Sequence, residues 1–75
     1  MSGEEYAVIL VLSTSHAVRI EKMLAQQGIA CKMIPVPRQI SSDCGVCVRI
    51  PQSQREAASE IVREAGIAIQ GIVDV

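Results

Sequence analysis

Tyr6-Ala-Val-Ile-Leu-Val-Leu-Ser-Thr-Ser15 decides the fold, because seven apolar residues run without interruption and three hydroxyls follow at once. An unbroken run of this length reads as a central strand covered on both faces. It is far too short to span a bilayer. The hydroxyls of Ser13, Thr14 and Ser15 can accept from the first backbone amides of a helix. Ala17, Ile20, Met23 and Leu24 then recur at helical spacing, and Gly28 supplies a left-handed stop after Gln27.

Working outward, Ile29 to Ile34 reads as a second strand, ended by Pro35 and Pro37, which have no backbone N–H to give a sheet. Val46 to Ile50 alternates as a third strand. Ser53-Gln-Arg-Glu56 has the spacing of a capping box, in which serine and glutamate satisfy each other's orphan amides. The second helix carries Ala57, Ala58, Ile61, Val62 and Ala65, stops at Gly66, and leads into a last strand from Ile67 to Val73.

The order is βαββαβ. Shifting the chain by 38 residues sets Val8 on Val46, Leu10 on Val48, Leu24 on Val62 and Gly28-Ile-Ala30 on Gly66-Ile-Ala68. Either a duplicated βαβ unit or two units built by the same capping rules would give this echo. Both lead to an α+β ferredoxin-like sandwich, with a four-stranded antiparallel sheet and two helices on one face. The other face is expected to carry Ile9 and Val11 and to be covered by a second copy, making a homodimer, or by a partner protein.

At 75 residues the chain is read as a single ferredoxin-like domain, 1–75, with residues 1–5 a disordered tail. Its apolar fraction is 49% with Tyr6 the one aromatic residue, so the core must be aliphatic. Seven basic against eight acidic residues give no footprint for a polyanion, and without aromatic platforms nucleic acid is not an expected partner. The acidic Met1-Ser-Gly-Glu-Glu start lacks the basic region of a signal peptide, so a cytoplasmic protein with no membrane association is expected. There, cysteines stay mostly reduced and serve as thiols.

Ile34-Pro-Val-Pro-Arg-Gln-Ile-Ser-Ser-Asp-Cys-Gly-Val-Cys47 is the chemically dense segment. With the first strand running up the sheet and the helix returning, the turn after that strand and the loop between strands two and three should meet at one end. The candidate nucleophile is Cys44, at the point where the polar loop becomes the third strand. Gly45 beside it can take backbone angles closed to other residues and leaves room by the sulfur. The N-terminus of the first helix favours an anion, including a thiolate. His16 and Arg38 could lower the thiol's pKa while Asp43 opposes them. Ser15, His16, Arg38, Ser41, Ser42 and Gly45 form the candidate anion- or substrate-binding set.

Cys47 should point with Arg49 away from Val46, Val48 and Ile50, and is a possible resolving thiol. The Cys44-x-x-Cys47 spacing differs from a redox motif that opens a helix. Three extended residues separate Cα atoms by roughly 10 Å, beyond the ~7 Å limit of a disulfide. Cys31 reads as filler. One cysteine pair with His16 is a thin basis for zinc, so neither a metal site nor a cofactor is expected.

Ser13-Thr-Ser-His16 with Glu21, Ile34-Pro-Val-Pro-Arg38, Ile40-Ser-Ser42 and Cys44-Gly45 together resemble a family of small selenium/sulfur carrier-like proteins, over nearly the whole chain. The resemblance implies a carrier more than a catalyst. Cys44 would hold a chalcogen as persulfide or selenopersulfide and pass it to a partner enzyme. The residues alone reach a thiol at an anion-friendly edge. They leave two other readings open: a dimeric ferredoxin-like regulatory or metal-handling module, and a redox protein cycling Cys44 and Cys47.

Overall fold

A computed structural model describes residues 5–40 and 45–75. The elements run β1 (Tyr6–Val11), α1 (Thr14–Gln26), β2 (Lys32–Pro35), β3 (Val46–Pro51), a 3-10 turn (Gln52–Gln54), α2 (Arg55–Glu64) and β4 (Ile69–Asp74). The four strands form one antiparallel sheet in the order β2-β3-β1-β4. This is the expected α+β, ferredoxin-like arrangement. β1 is central and Ala7 through Val11 are all buried, as its unbroken apolar run requires.

Ala7, Ile9, Val11, Val48 and Ile50 meet Ala17, Ile20 and Leu24 of α1 and Ala58 and Val62 of α2 in the main core. Ile9 and Val11 therefore lie under the helices and not on the opposite face, which corrects the expected parity. The reverse face carries Val8, Leu10 and Cys47, packed by Ile34, Val36 and Ile40. A single copy of the chain buries this second cluster with its own β2 and the segment beyond it.

Both helices end in the same device. Gly28, at φ +80°, donates to Ala25 O, and Ile29 donates back to Leu24 O. Gly66, at φ +73°, donates to Arg63 O, and Ile67 to Val62 O. These are paired Schellman stops, in which the residue after the left-handed glycine folds back against the last turn. The echoed Gly-Ile-Ala triplets are these two stops. Ile29 and Ile67 are consumed in closing the helices, so β2 and β4 begin later than the apolar pattern alone predicts.

The capping box at Ser53 does not form. Ser53 sits in the 3-10 turn, α2 is preceded by Gln54, and Gln54 makes no side-chain cap bond. Gln52 N–H is held by Glu5 O at 2.9 Å, and the Arg55 N–H turns back to Gln52 O. The tight turn satisfies an early amide through the backbone, which leaves the serine hydroxyl no task. Pro35, expected to stop β2, is instead its last residue, tolerated because β2 is an edge strand.

Glu21 of α1 accepts the Met33 N–H at 3.1 Å. A helix side chain thus occupies a donor on the sheet's outer edge, where an unpaired N–H would invite another strand. No helix among the described residues is long and apolar enough to cross a membrane.

Candidate functional site

Register defines one end of the sheet. Leu10 of β1 lies opposite Cys47 of β3, and Cys47 lies opposite Ile34 of β2. The β1–α1 turn and the β2–β3 connection therefore leave the sheet at the same end, as the strand directions require. Cys44, Ser41 and Ser42, with Asp43, lie outside the described residues, so the site is built here from its flanks.

The first flank is the start of α1. Ser13 is in extended conformation at the cap, and its Oγ accepts the His16 N–H at 3.3 Å. The same Oγ lies 2.6 Å from His16 Nδ1, so the imidazole folds back onto the cap hydroxyl. When Ser13 O–H donates to Nδ1, the ring proton resides on Nε2, the nitrogen left for other partners. Ser15 is exposed beside it. Ser13, and not Ser15, does the capping.

The second flank is the loop after β2. Val36 N–H donates to Gly45 O at 3.1 Å, extending the β2–β3 ladder one rung past Pro35. Ile40 N–H donates to Pro37 O at 3.0 Å, closing a turn with Arg38 and Gln39 at its corner. Arg38 is exposed at that corner, while Ile40 on the far side is half-buried against the Val8–Leu10 cluster. The turn holds an apolar anchor down and a guanidinium out. Arg38 makes no hydrogen bond or ion pair among the described residues.

Gly45 is exposed, and among the described residues beyond its chain neighbours no atom lies within 4 Å of the place a Cβ would occupy. Openness on this side of the strand mouth is what the described residues give Gly45.

Cys47 points away from Val48 and Ile50, with Arg49, as strand parity predicts. Its side chain is fully buried beside Val8 and Leu10, and its Sγ lies 4.0 Å from Pro35 O. Cys31 is half-buried at the other end of the sheet and donates to Glu21 O at 3.3 Å. Burial first, and the Glu21 carboxylate second, push its thiol above the ordinary cysteine value. That is the direction of an inert thiol, in keeping with a packing role.

The geometry thus assembles a helix N-terminus with His16 and a loop with Arg38 and Gly45 at one end of the sheet, on separate elements. Sequence reasoning missed the part played by Ile40. Its apolar side chain between two polar stretches was the available signal, since such a residue in a short loop is an anchor. Neither the curated proteins nor the solved structures offer a significant match to this chain. A protein-family model described as "Putative Se/S carrier protein-like" matches residues 6–74, which takes in both flanks, Cys44 between them, and every strand and helix. The chain belongs to the Se/S carrier protein-like family.

Proposed function

We propose that this chain carries sulfur or selenium on Cys44 and delivers it to a partner enzyme in the reducing cytoplasm. The observation that carries the reading is the family match over residues 6–74, which includes the thiol-bearing loop. The Val36–Gly45 rung supports it by fixing the residue bonded to Cys44 at an exposed strand mouth.

The Cys44 thiolate attacks the terminal atom of a donor persulfide, R–S–SH, or its selenium counterpart, R–S–SeH. The new bond joins Cys44 Sγ to that atom, and the donor's S–S or S–Se bond breaks with R–S⁻ leaving. The transferred atom keeps its oxidation level, so no external oxidant is needed. The acceptor's nucleophile then takes the terminal atom and returns Cys44 as thiolate. Arg38, Ser15, Ser41, Ser42 and the α1 N-terminus with His16 hold the anionic charge of donor and persulfide. A resolving attack by Cys47 would require its sulfur to leave the cluster with Val8 and Leu10, so transfer rests on Cys44.

Incubation with a cysteine desulfurase and cysteine or selenocysteine should add one sulfur or selenium atom per chain, read by intact mass. Cys44→Ser should abolish the uptake and Cys47→Ser should leave it. Equal uptake by Cys44→Ser would remove the proposal. A homodimer belongs to the same reading, resting on Val73, level with Val8 on the sheet face away from the helices, and on exposed Val75. Sedimentation velocity should show a particle twice the 8.1 kDa chain, and a monomer throughout would exclude the dimer.

A further inference from the structure

At the end of the sheet away from Gly45, Lys32 of β2 and Arg49 of β3 are direct cross-strand partners. Their side chains share the sheet face away from the helices, because Arg49 is level with Val8. Like charges placed directly opposite in an antiparallel pair repel and weaken the sheet. Neither residue joins an ion pair among the described residues, where the one such contact is Arg55 with Asp74 at 2.7 Å. Among the described residues, the two cations stand together with no carboxylate paired to either.

The surroundings make this more than a solvated pair. Tyr6, Ala30, Cys31, Lys32, Arg49 and Pro51 line a cleft of about 180 Å³. The Arg49 guanidinium carbon lies over the Tyr6 ring, 4.3 Å from its centroid. A cation over an aromatic face is attracted to it, and the contact restricts the long side chain. The guanidinium's N–H donors, which lie in its own plane, stay available to a planar or tetrahedral oxyanion. The Lys32 ammonium adds a mobile second donor. Ala30 and Pro51 give the cleft apolar side chains that do not compete for its hydrogen bonds.

We infer that the Lys32–Arg49 cleft is a binding site for a small molecule with a compact oxyanion headgroup, carboxylate or phosphoryl. The anion lies between the two cations, accepts from both, and converts their repulsion into two charge-assisted contacts. The inference stands independently of transfer at Cys44, because it uses neither the thiol loop nor the α1 N-terminus.

The test is a titration of the full chain with inorganic phosphate and, separately, with malonate, at low ionic strength where surface charges are least screened. Amide resonances of Ala30, Lys32, Tyr6 and Arg49 should shift saturably, with half-saturation at about millimolar concentration for so small a ligand. The probe that saturates first identifies the headgroup. Arg49→Gln and Lys32→Gln should each weaken the response about tenfold, the fold-change expected from losing one charge-assisted contact. Thermal unfolding gives a second reading: phosphate or malonate should raise the wild-type midpoint and leave that of the doubly substituted chain unchanged. Without anion, Lys32→Gln should melt no lower than wild type, since it removes a repulsion. No saturable shift with either probe, or equal shifts in the doubly substituted chain, would overturn the inference.

Discussion

Leu24→Ala should leave most of the protein unfolded near physiological temperature. Leu24 is fully buried between α1 and the sheet, and its carbonyl also receives Ile29 N–H in the Schellman stop. Truncating a buried leucine costs about 2–5 kcal/mol, the larger values where the site cannot collapse. Collapse is poorly available here, because Ile29 and Ile20 are themselves tied to the same core. A domain of this size has only a few kcal/mol of net stability to lose. Urea denaturation followed by far-UV circular dichroism should show a midpoint near zero denaturant. A loss below about 1 kcal/mol would mean that the helix end carries little of the core.

Leu10→Asp should be comparably severe, although Leu10 faces away from both helices. In a ferredoxin-like sandwich with a bare sheet face, an aspartate there would be a surface change of a few tenths of a kcal/mol. Leu10 is 7% exposed and packs with Val8 and Cys47 under Ile34, Val36 and Ile40. A carboxylate at this position meets no cation among the described residues of that cluster, so it must either protonate or force the cover away. The expected loss is several kcal/mol, partly recovered at acid pH as the carboxylate takes up a proton. Denaturant midpoints at neutral and acid pH read both effects. A variant as stable as wild type at neutral pH would show that the second cluster is open in solution.

The element order was readable because its signals are local. The run from Tyr6, the serine cap and the two left-handed glycines each act within a few residues. Facing was not readable for Ile9 and Val11: a strand buried on both sides shows no alternation, so its pattern is the same whichever face the helices choose. The Ser53–Glu56 spacing misled because Gln52, held by Glu5 just before β1, opens a 3-10 turn that receives Arg55 N–H and places Ser53 inside the turn, not at the start of α2. That contact is remote in sequence and leaves no mark near Ser53.

The site was legible in part. Strand directions alone bring the first helix's start and the proline-rich loop to one end. The fold of His16 back onto Ser13 is a local contact three residues apart that the sequence reading did not single out, whereas the burial of Cys47 depends on tertiary packing. The Lys32–Arg49 pairing was invisible for a similar reason, since it depends on strand register across 17 residues of chain.

The Val36–Gly45 rung closes the segment between them on fixed stems, and Ile40 pins it to the second cluster. The segment's eight residues, 37–44, begin and end on a bonded pair, so lengthening them changes a closure entropy that grows only slowly, by about 0.6 kcal/mol per doubling. A related chain that keeps the apolar anchor at Ile40 can vary the rest of this segment while the four strands stay as they are.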